Sequence, residues 1–290
     1  MLADSHCHAW RMWPYDKSVL DPQSRGSIET LLYELDAHDI ARASVVCARI
    51  GGGAGGDGFE NADNNDYVGS FARKHADRIS AWVDVDCMWQ SEHHKTGSVE
   101  RLKMELERNN AKGFTHYVGP KNDSWLVSEE GREFFRTAAE LKVIASLSIS
   151  SPWFADLREI ASENPTMPFL IHHMSLPRRL GSNYNASDIS ELLKCASMPN
   201  IGVKISGFNY NSSAHSDFPF PDSIELFKTI YEAFGASRLY WGSDFPASRD
   251  KITYTQSLEV VRSHCDFVPD GELALILGDN LDRILNKPHL

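Results

Sequence analysis

The chain of 290 residues has no unbroken run of about 18 apolar residues, the least a helix needs to cross a bilayer. Its opening, Met1-Leu2-Ala3-Asp4-Ser5-His6, sets no basic patch before an apolar stretch, so no secretory signal is expected. Cysteine is scarce: Cys7, Cys47, Cys87, Cys195 and Cys265 are odd in number, widely scattered and free of any Cys-x-x-Cys pair. A disulfide framework is thereby excluded, and free thiols in a reducing, cytoplasmic compartment are expected. Positive charge is also short, with 29 Lys and Arg against 40 Asp and Glu and a net charge of −11. An acidic surface repels phosphate backbones, so nucleic acid is not an expected partner, and nothing marks a membrane surface. No linker, low-complexity block or internal repeat interrupts the chain, which predicts one domain over 1–290, long enough for a large core. A homo-oligomer is left open.

What the chain does have is a recurring pattern: a short apolar run, a polar loop, then an amphipathic segment. The runs are Leu2–His6, Ala43–Cys47, Ser80–Asp86, Gly113–Tyr117, Val143–Ser148, Phe169–His173, Ile201–Ser206 and Leu239–Asp244. Each is nearly continuous in apolar character, as strands covered on both faces are. Between them, Ser27 caps a helical pattern of Ile28, Leu31, Leu32 and Leu35, and Phe134, Phe135, Ala138 and Leu141 keep helical spacing. Asp188 with Glu191 and Asp222 with Glu225 read as capping boxes. Strands alternating with helices in this length predict an α/β fold, a (β/α)8 TIM-type barrel. A doubly wound open sheet competes, but it concentrates reactive residues at one switch point, whereas here they recur at strand ends, as in a barrel. The glycine-rich stretch 51–58 lacks both the GxGxxG and the Gly-Lys-Ser/Thr patterns, so it reads as a mobile loop over the barrel mouth with a capacity to act as a lid.

Three strand ends carry chemistry. In Asp4-Ser5-His6-Cys7-His8 the alternation of an extended segment sends His6 and His8 to one side, where they can hold a divalent cation or an anionic group. In Phe169-Leu170-Ile171-His172-His173, taking Ile171 as a lumen residue selects His173 for the barrel interior and leaves His172 as a core histidine. In Trp241-Gly242-Ser243-Asp244-Phe245-Pro246 the aspartate closes the eighth run, as a cation ligand, a general base or a turn residue. Closure of a barrel brings strands one and eight together, so Asp244 is expected beside His6 and His8.

These segments, with Val203-Lys204-Ile205-Ser206-Gly207, Gly278-Asp279-Asn280, Asn65-Asp66-Tyr67-Val68 before a helix and Arg78–Asp84 after it, resemble the amidohydrolase superfamily almost end to end. The nearest resemblance is to its amidohydrolase-related lactonases, of the 2-pyrone-4,6-dicarboxylate and sugar-acid types. The resemblance implies that Asp244 takes a proton from the attacking water and that His173 polarises a carbonyl. It further implies that His6 and His8, with Asp244, hold a divalent metal, zinc or manganese. Two departures bear on that. Strand five ends Ala145-Ser146-Leu147-Ser148-Ile149 without the histidine of metal-dependent members, and strand four has no lysine to carboxylate, so a metal-free mechanism stays open. Thr115 stands where relatives often carry an arginine for a substrate carboxylate.

Substrate contacts are expected from His116, Tyr117, Arg178, Tyr210 and His215, while His93 and His94 read as a solvated loop. The predicted activity is hydrolysis of a lactone of a sugar acid or an aromatic-degradation intermediate, with a small carboxylate or lactone as partner. The alternatives are a metal-dependent non-oxidative decarboxylase on the same scaffold, a TatD-like nuclease, and a barrel that binds a metabolite without turnover. The nuclease reading lacks a Gly-Glu-x-Gly strand four, and the last reading leaves a strand-end base unexplained.

Overall fold

The computed structural model describes residues 1–214 and 217–286. Eight parallel strands pair in chain order: β1 Ala3–Cys7, β2 Arg42–Val46, β3 Ile79–Asp84, β4 Gly113–Tyr117, β5 Ile144–Ser148, β6 Phe169–Ile171, β7 Ile201–Ile205 and β8 Leu239–Trp241. Helices follow them: α1 Ile28–Ala37, α2 Asn64–Lys74, α3 Ser98–Asn109, α4 Glu129–Glu140, α5 Phe154–Glu163, α6 Ala186–Lys194, α7 Pro221–Phe234 and α8 Tyr254–His264. This is the (β/α)8 barrel. Each apolar run of the sequence overlaps a strand, because side chains buried on both faces leave little room for polar residues within it.

An apolar layer closes the bottom of the lumen. Ala3, Val46, Trp82, Ile144, Leu170 and Tyr240 pack together at the bottom against Leu281 and Ile284, which lie on the C-terminal helix Asn280–Asn286. Truncating a buried ring of this size, such as fully buried Trp82, costs about 3–5 kcal/mol. Above that layer the lumen turns polar. Strands β1 and β8 seal the barrel through the residues just past β8: the Asp244 amide donates to the His6 carbonyl at 2.7 Å and the His8 amide to the Phe245 carbonyl at 2.6 Å. Gly242 makes this approach possible, since a Cβ there would lie 2.7 Å from the His6 Cβ.

The helix starts follow the expected caps only in part. Ser27 does cap α1, accepting from the Thr30 amide at 3.3 Å. The Asp188 and Asp222 capping boxes are not formed. Asn185 caps α6 instead, and Asp188 lies in its first turn, accepting from Arg178 and from the Ser151 hydroxyl. The α7 helix starts at Pro221 with no side-chain cap, and Asp222 accepts from Ser212 and the Ser213 amide. Thr253 with Gln256 forms a capping box that starts α8. Asn65–Val68 lie inside α2 rather than before it. In the glycine-rich loop the Gly51, Gly52 and Gly53 amides donate back to Ala54, Gly58 and Gly56, and the Gly58 and Phe59 amides donate to Pro14 and Trp13. That loop is therefore laced to the segment after β1.

All five cysteines are buried and unpaired, and among the described residues no helix is long and apolar enough to cross a membrane.

Candidate active site

The site begins with an irregularity. Asp4 pairs with Ala43 and Cys7 with Val45, so β1 carries one residue more than β2 over this stretch. The bulge changes the phase of the strand. Ala3 lies in the lumen layer and Cys7 among the outer core residues, while His6 and His8 both enter the lumen, their Nε2 atoms 3.2 Å apart. Asp4 turns the other way and ties β1 to the segment after β8, accepting from the Ser243 hydroxyl at 2.6 Å and the Tyr254 hydroxyl at 2.9 Å.

Asp244 sits among the imidazoles. Its Oδ1 is 3.6 Å from His6 Nε2, 3.4 Å from His8 Nε2 and 3.7 Å from His173 Nε2. Its Oδ2 accepts from the Tyr210 hydroxyl at 2.6 Å. Burial alone would raise the carboxyl pKa, but His173, His8 and the Tyr210 hydroxyl outweigh it and hold the group below the ordinary carboxylate range. Asp244 therefore stays ionised at neutral pH. Burial, assisted by Lys204 and the neighbouring rings, pushes His6 well below the usual imidazole value. Burial likewise takes His173 down to about 4, against the pull of Asp244.

His173 reaches the cluster by a route that alternation does not describe. Leu170 belongs to the lumen layer and Ile171 to the outer core, so strict alternation would send His172 inward. His172 does face inward: its ring meets that of His6 at 4.4 Å and its Nε2 lies 2.6 Å from the Ser146 hydroxyl. The strand ends at Ile171, and His173, Met174, Ser175 and Leu176 then all take left-handed backbone conformations, with φ between 47° and 67°. That run swings the His173 ring over the mouth to within 3.7 Å of Asp244, by the opposite strand parity to the one expected from the sequence. Left-handed backbone costs a non-glycine residue on the order of 1–2 kcal/mol, and Asp244 shares it at φ 55°. Strain of this kind collects at functional sites. Gly207 gives His173 its room: a Cβ there would lie 3.0 Å from the His173 Cβ.

Of the remaining expected residues, Tyr210 meets Asp244 directly, from the single turn Phe208–Asn211 after β7. Tyr117 also lines the mouth, its ring 5.2 Å from His172 and 4.6 Å from Trp89. His116 does not. It points outward from β4 toward Trp125 and Phe134, because Tyr117 occupies the inward position beside it. Arg178 is likewise corrected: it forms a forked pair with Asp188, Nε to Oδ2 and Nη2 to Oδ1 both 2.9 Å, with 71% of its side chain exposed. Arg179 is held by Asp222 at 3.0 Å. His215 lies outside the described residues.

Sequence reasoning gave no role to Lys204 or Tyr15. Lys204 is fully buried. Its Nζ lies 3.2 Å from His6 Nδ1, donates to the Ser146 hydroxyl at 2.7 Å and sits 4.4 Å over the Trp82 ring. Burial drives its pKa well below that of an ordinary lysine. The available signal was a lysine between Val203 and Ile205 in an otherwise apolar run. Tyr15 belongs to an aromatic rim with Trp10 and Trp13, and Trp10 stacks on His8 with ring centres 5.0 Å apart.

The donor set fits a divalent cation. His8 Nδ1 donates to the Val46 carbonyl at 2.7 Å, so His8 Nε2 presents a lone pair. The donor separations of 3.2 Å, 3.4 Å and 3.6 Å match the edges of a tetrahedral zinc site, about 3.3 Å for metal–nitrogen bonds of about 2.0–2.1 Å.

Comparisons agree with this architecture. The family model for amidohydrolases matches residues 3–286. The chain belongs to the amidohydrolase family of enzymes. It is similar to an L-fucono-1,5-lactonase of Burkholderia ambifaria, 31% identical over 94 residues that span 32% of this chain and 31% of the relative's length. Among solved structures it resembles a zinc-bound amidohydrolase of Burkholderia multivorans, with a TM-score of 0.74 at 17% identity over 99% of both chains. It also resembles a protein of Acinetobacter baumannii assigned as a 2-pyrone-4,6-dicarboxylic acid hydrolase and solved with citric acid. There the TM-score is 0.75 at 18% identity, over 98% of this chain and 99% of the other. At those identities the two structures speak for the fold.

Proposed function

We propose that the protein is a lactonase that opens the cyclic ester of a sugar acid with water activated by Asp244. The observation that carries this reading is the carboxylate itself: ionised, buried, facing three imidazole nitrogens within 3.7 Å and steadied by the Tyr210 hydroxyl. A base on water set beside hydrogen-bond donors is what ester hydrolysis requires. The L-fucono-1,5-lactonase similarity supports the sugar-lactone class. So do Thr115 at the strand-four position and the commitment of Arg178 and Arg179 to acidic partners, which leave a dicarboxylate less well served.

Asp244 Oδ1 takes a proton from water as the water oxygen attacks the lactone carbonyl carbon. The Ser206 hydroxyl lies 2.9 Å from His173 Nδ1. With that hydroxyl donating, the His173 proton sits on Nε2 and is offered to the growing oxyanion. Held down to about 4, the ring is neutral at working pH and acts as a donor rather than a cation. The bond from the carbonyl carbon to the ring oxygen then breaks, and Asp244 returns its proton to that oxygen, leaving a hydroxy acid. A zinc- or manganese-type cation would be held by His6, His8 and Asp244, and it supplies Lewis acidity and a more acidic water. Lys204 and Ser146 brace His6 and His172 from below. The five unpaired thiols support a cytoplasmic setting.

The test is a panel of sugar-acid lactones followed by acid release, run with wild type and Asp244→Asn. Turnover above the buffer background that Asp244→Asn loses is expected. A panel that stays at background, with carbon dioxide released from aromatic acids instead, would overturn the reading in favour of decarboxylation.

A further inference from the structure

The outer face of the barrel's upper rim carries a second set of imidazoles, which the proposed hydrolysis does not use. His116 projects outward from β4, fully buried, and His93 and His94 come down on it from the loop after β3. One ring nitrogen of each lies within 4.8 Å of one from both of the others. We propose that His93, His94 and His116 form a binding site for a divalent cation of the zinc class, separate from the barrel mouth.

The argument rests on where the protons must be. His93 Nδ1 lies 2.6 Å from the Asp86 carbonyl and His116 Nδ1 3.0 Å from the Val85 carbonyl. A carbonyl only accepts, so both rings carry their proton on Nδ1 and present a lone pair at Nε2. His94 Nδ1 faces the Asp123 carboxylate at 2.7 Å. The Trp125 amide donates to the other oxygen of that carboxylate at 3.0 Å, and a carboxylate accepts, so His94 carries its proton on Nδ1 in the same way. His94 Nε2 and His116 Nε2 then meet at 3.1 Å, lone pair against lone pair. A cation relieves it without a proton.

The surroundings are those of a ligand set. Anchoring each Nδ1 on an oxygen is how proteins orient metal-binding histidines, and a carboxylate behind one of them is the strongest form of that support. His94 has only 6% of its side chain exposed. It is fixed in place by stacking on Trp125 at 4.4 Å with the rings 3° from parallel, and by a left-handed backbone with φ 56°. Three imidazoles select borderline first-row cations over magnesium or calcium and leave a fourth position open. Occupation would clip the loop after β3 onto β4, and that loop carries Trp89 against Tyr117 at the mouth.

The experiment strips the full-length protein of metal with a chelator and measures zinc uptake by equilibrium dialysis for wild type, His94→Gln and Asp123→Asn, each also in an Asp244→Asn background. His94→Gln is expected to take up one equivalent less than its parent in both backgrounds. Asp123→Asn should weaken that equivalent by about 10- to 100-fold. The readout is a difference, so it stands whether or not the mouth itself holds zinc. Equal uptake by His94→Gln and wild type overturns the proposal. If His94→Gln does not fold, Asp123→Asn decides, and an unchanged zinc affinity overturns it.

Discussion

Two clusters of histidines, one in the barrel mouth and one outside β4, each include a carboxylate and differ in where it sits. Inside the mouth His6, His8 and His173 surround a carboxylate whose Oδ1 faces them. On the outer face His93, His94 and His116 converge with Asp123 behind one ring, against Nδ1, instead of among the Nε2 atoms. A carboxylate placed among the imidazoles can take a proton from water. Placed behind them it can only orient and polarise. On the two proposals above, the same residue types serve a reactive centre in one region and a holding one in the other, according to which side of the ring the acid occupies.

The largest effect that would test this contrast is on turnover. Asp244→Asn should lower kcat by about a thousandfold, the scale of a lost general base, while His94→Gln stays within a few-fold of wild type under the same assay. Equal losses would erase the distinction between the clusters. Next comes Tyr210→Phe, which removes the hydroxyl bonded to the carboxylate at 2.6 Å. A hydrogen bond to a charged group contributes about 1.5–3 kcal/mol, so kcat should fall roughly 10- to 100-fold with the far-ultraviolet dichroism unchanged.

Arg178→Ala separates mouth from rim. KM for the lactone should stay within about two-fold, since the side chain is spent on Asp188. Its effect belongs to acid stability. The Arg178 hydrogen bonds hold the Asp188 carboxyl down to about 2, from an ordinary 3.8. A depressed acid stabilises the fold fully above its unfolded pKa and loses that contribution as pH falls toward its folded one. The variant should therefore unfold in acid at a pH higher by roughly a few tenths of a unit. The smallest effect is expected at Leu176, 42% exposed with φ 48°. Leu176→Gly should stabilise the protein by about 1 kcal/mol in urea, because glycine takes left-handed backbone without strain.

Strand number and order were legible because a strand covered on both faces admits few polar residues, and eight such runs stand out from their loops. The meeting of Asp244 with His6 and His8 followed from closure alone. Side-chain direction was less accessible. In Gly113-Phe114-Thr115-His116-Tyr117 both faces carry a mixture of polar and apolar groups, so nothing in the pattern turns His116 outward. Arg178 looked free because its partner sits ten residues on, at a helix start whose cap was misread. Tyr15 came into range only through the folding of the loop after β1, and Lys204 through the lumen that its strand helps to close. The histidines of the loop after β3 read as solvated because their target, on β4, is joined to them only in three dimensions.

The extra residue in β1 has a consequence for heredity. Loss of the Ser5 codon, between Asp4 and Cys7, would remove the bulge and set Ala3 and His6 an even number of residues apart, so the regular strand left behind would still turn both imidazoles to the lumen. The spacing that cannot change is the single residue between His6 and His8, since a second residue there would turn one of the rings outward. Length at the bulge should therefore drift more readily among descendants of this gene than length between His6 and His8.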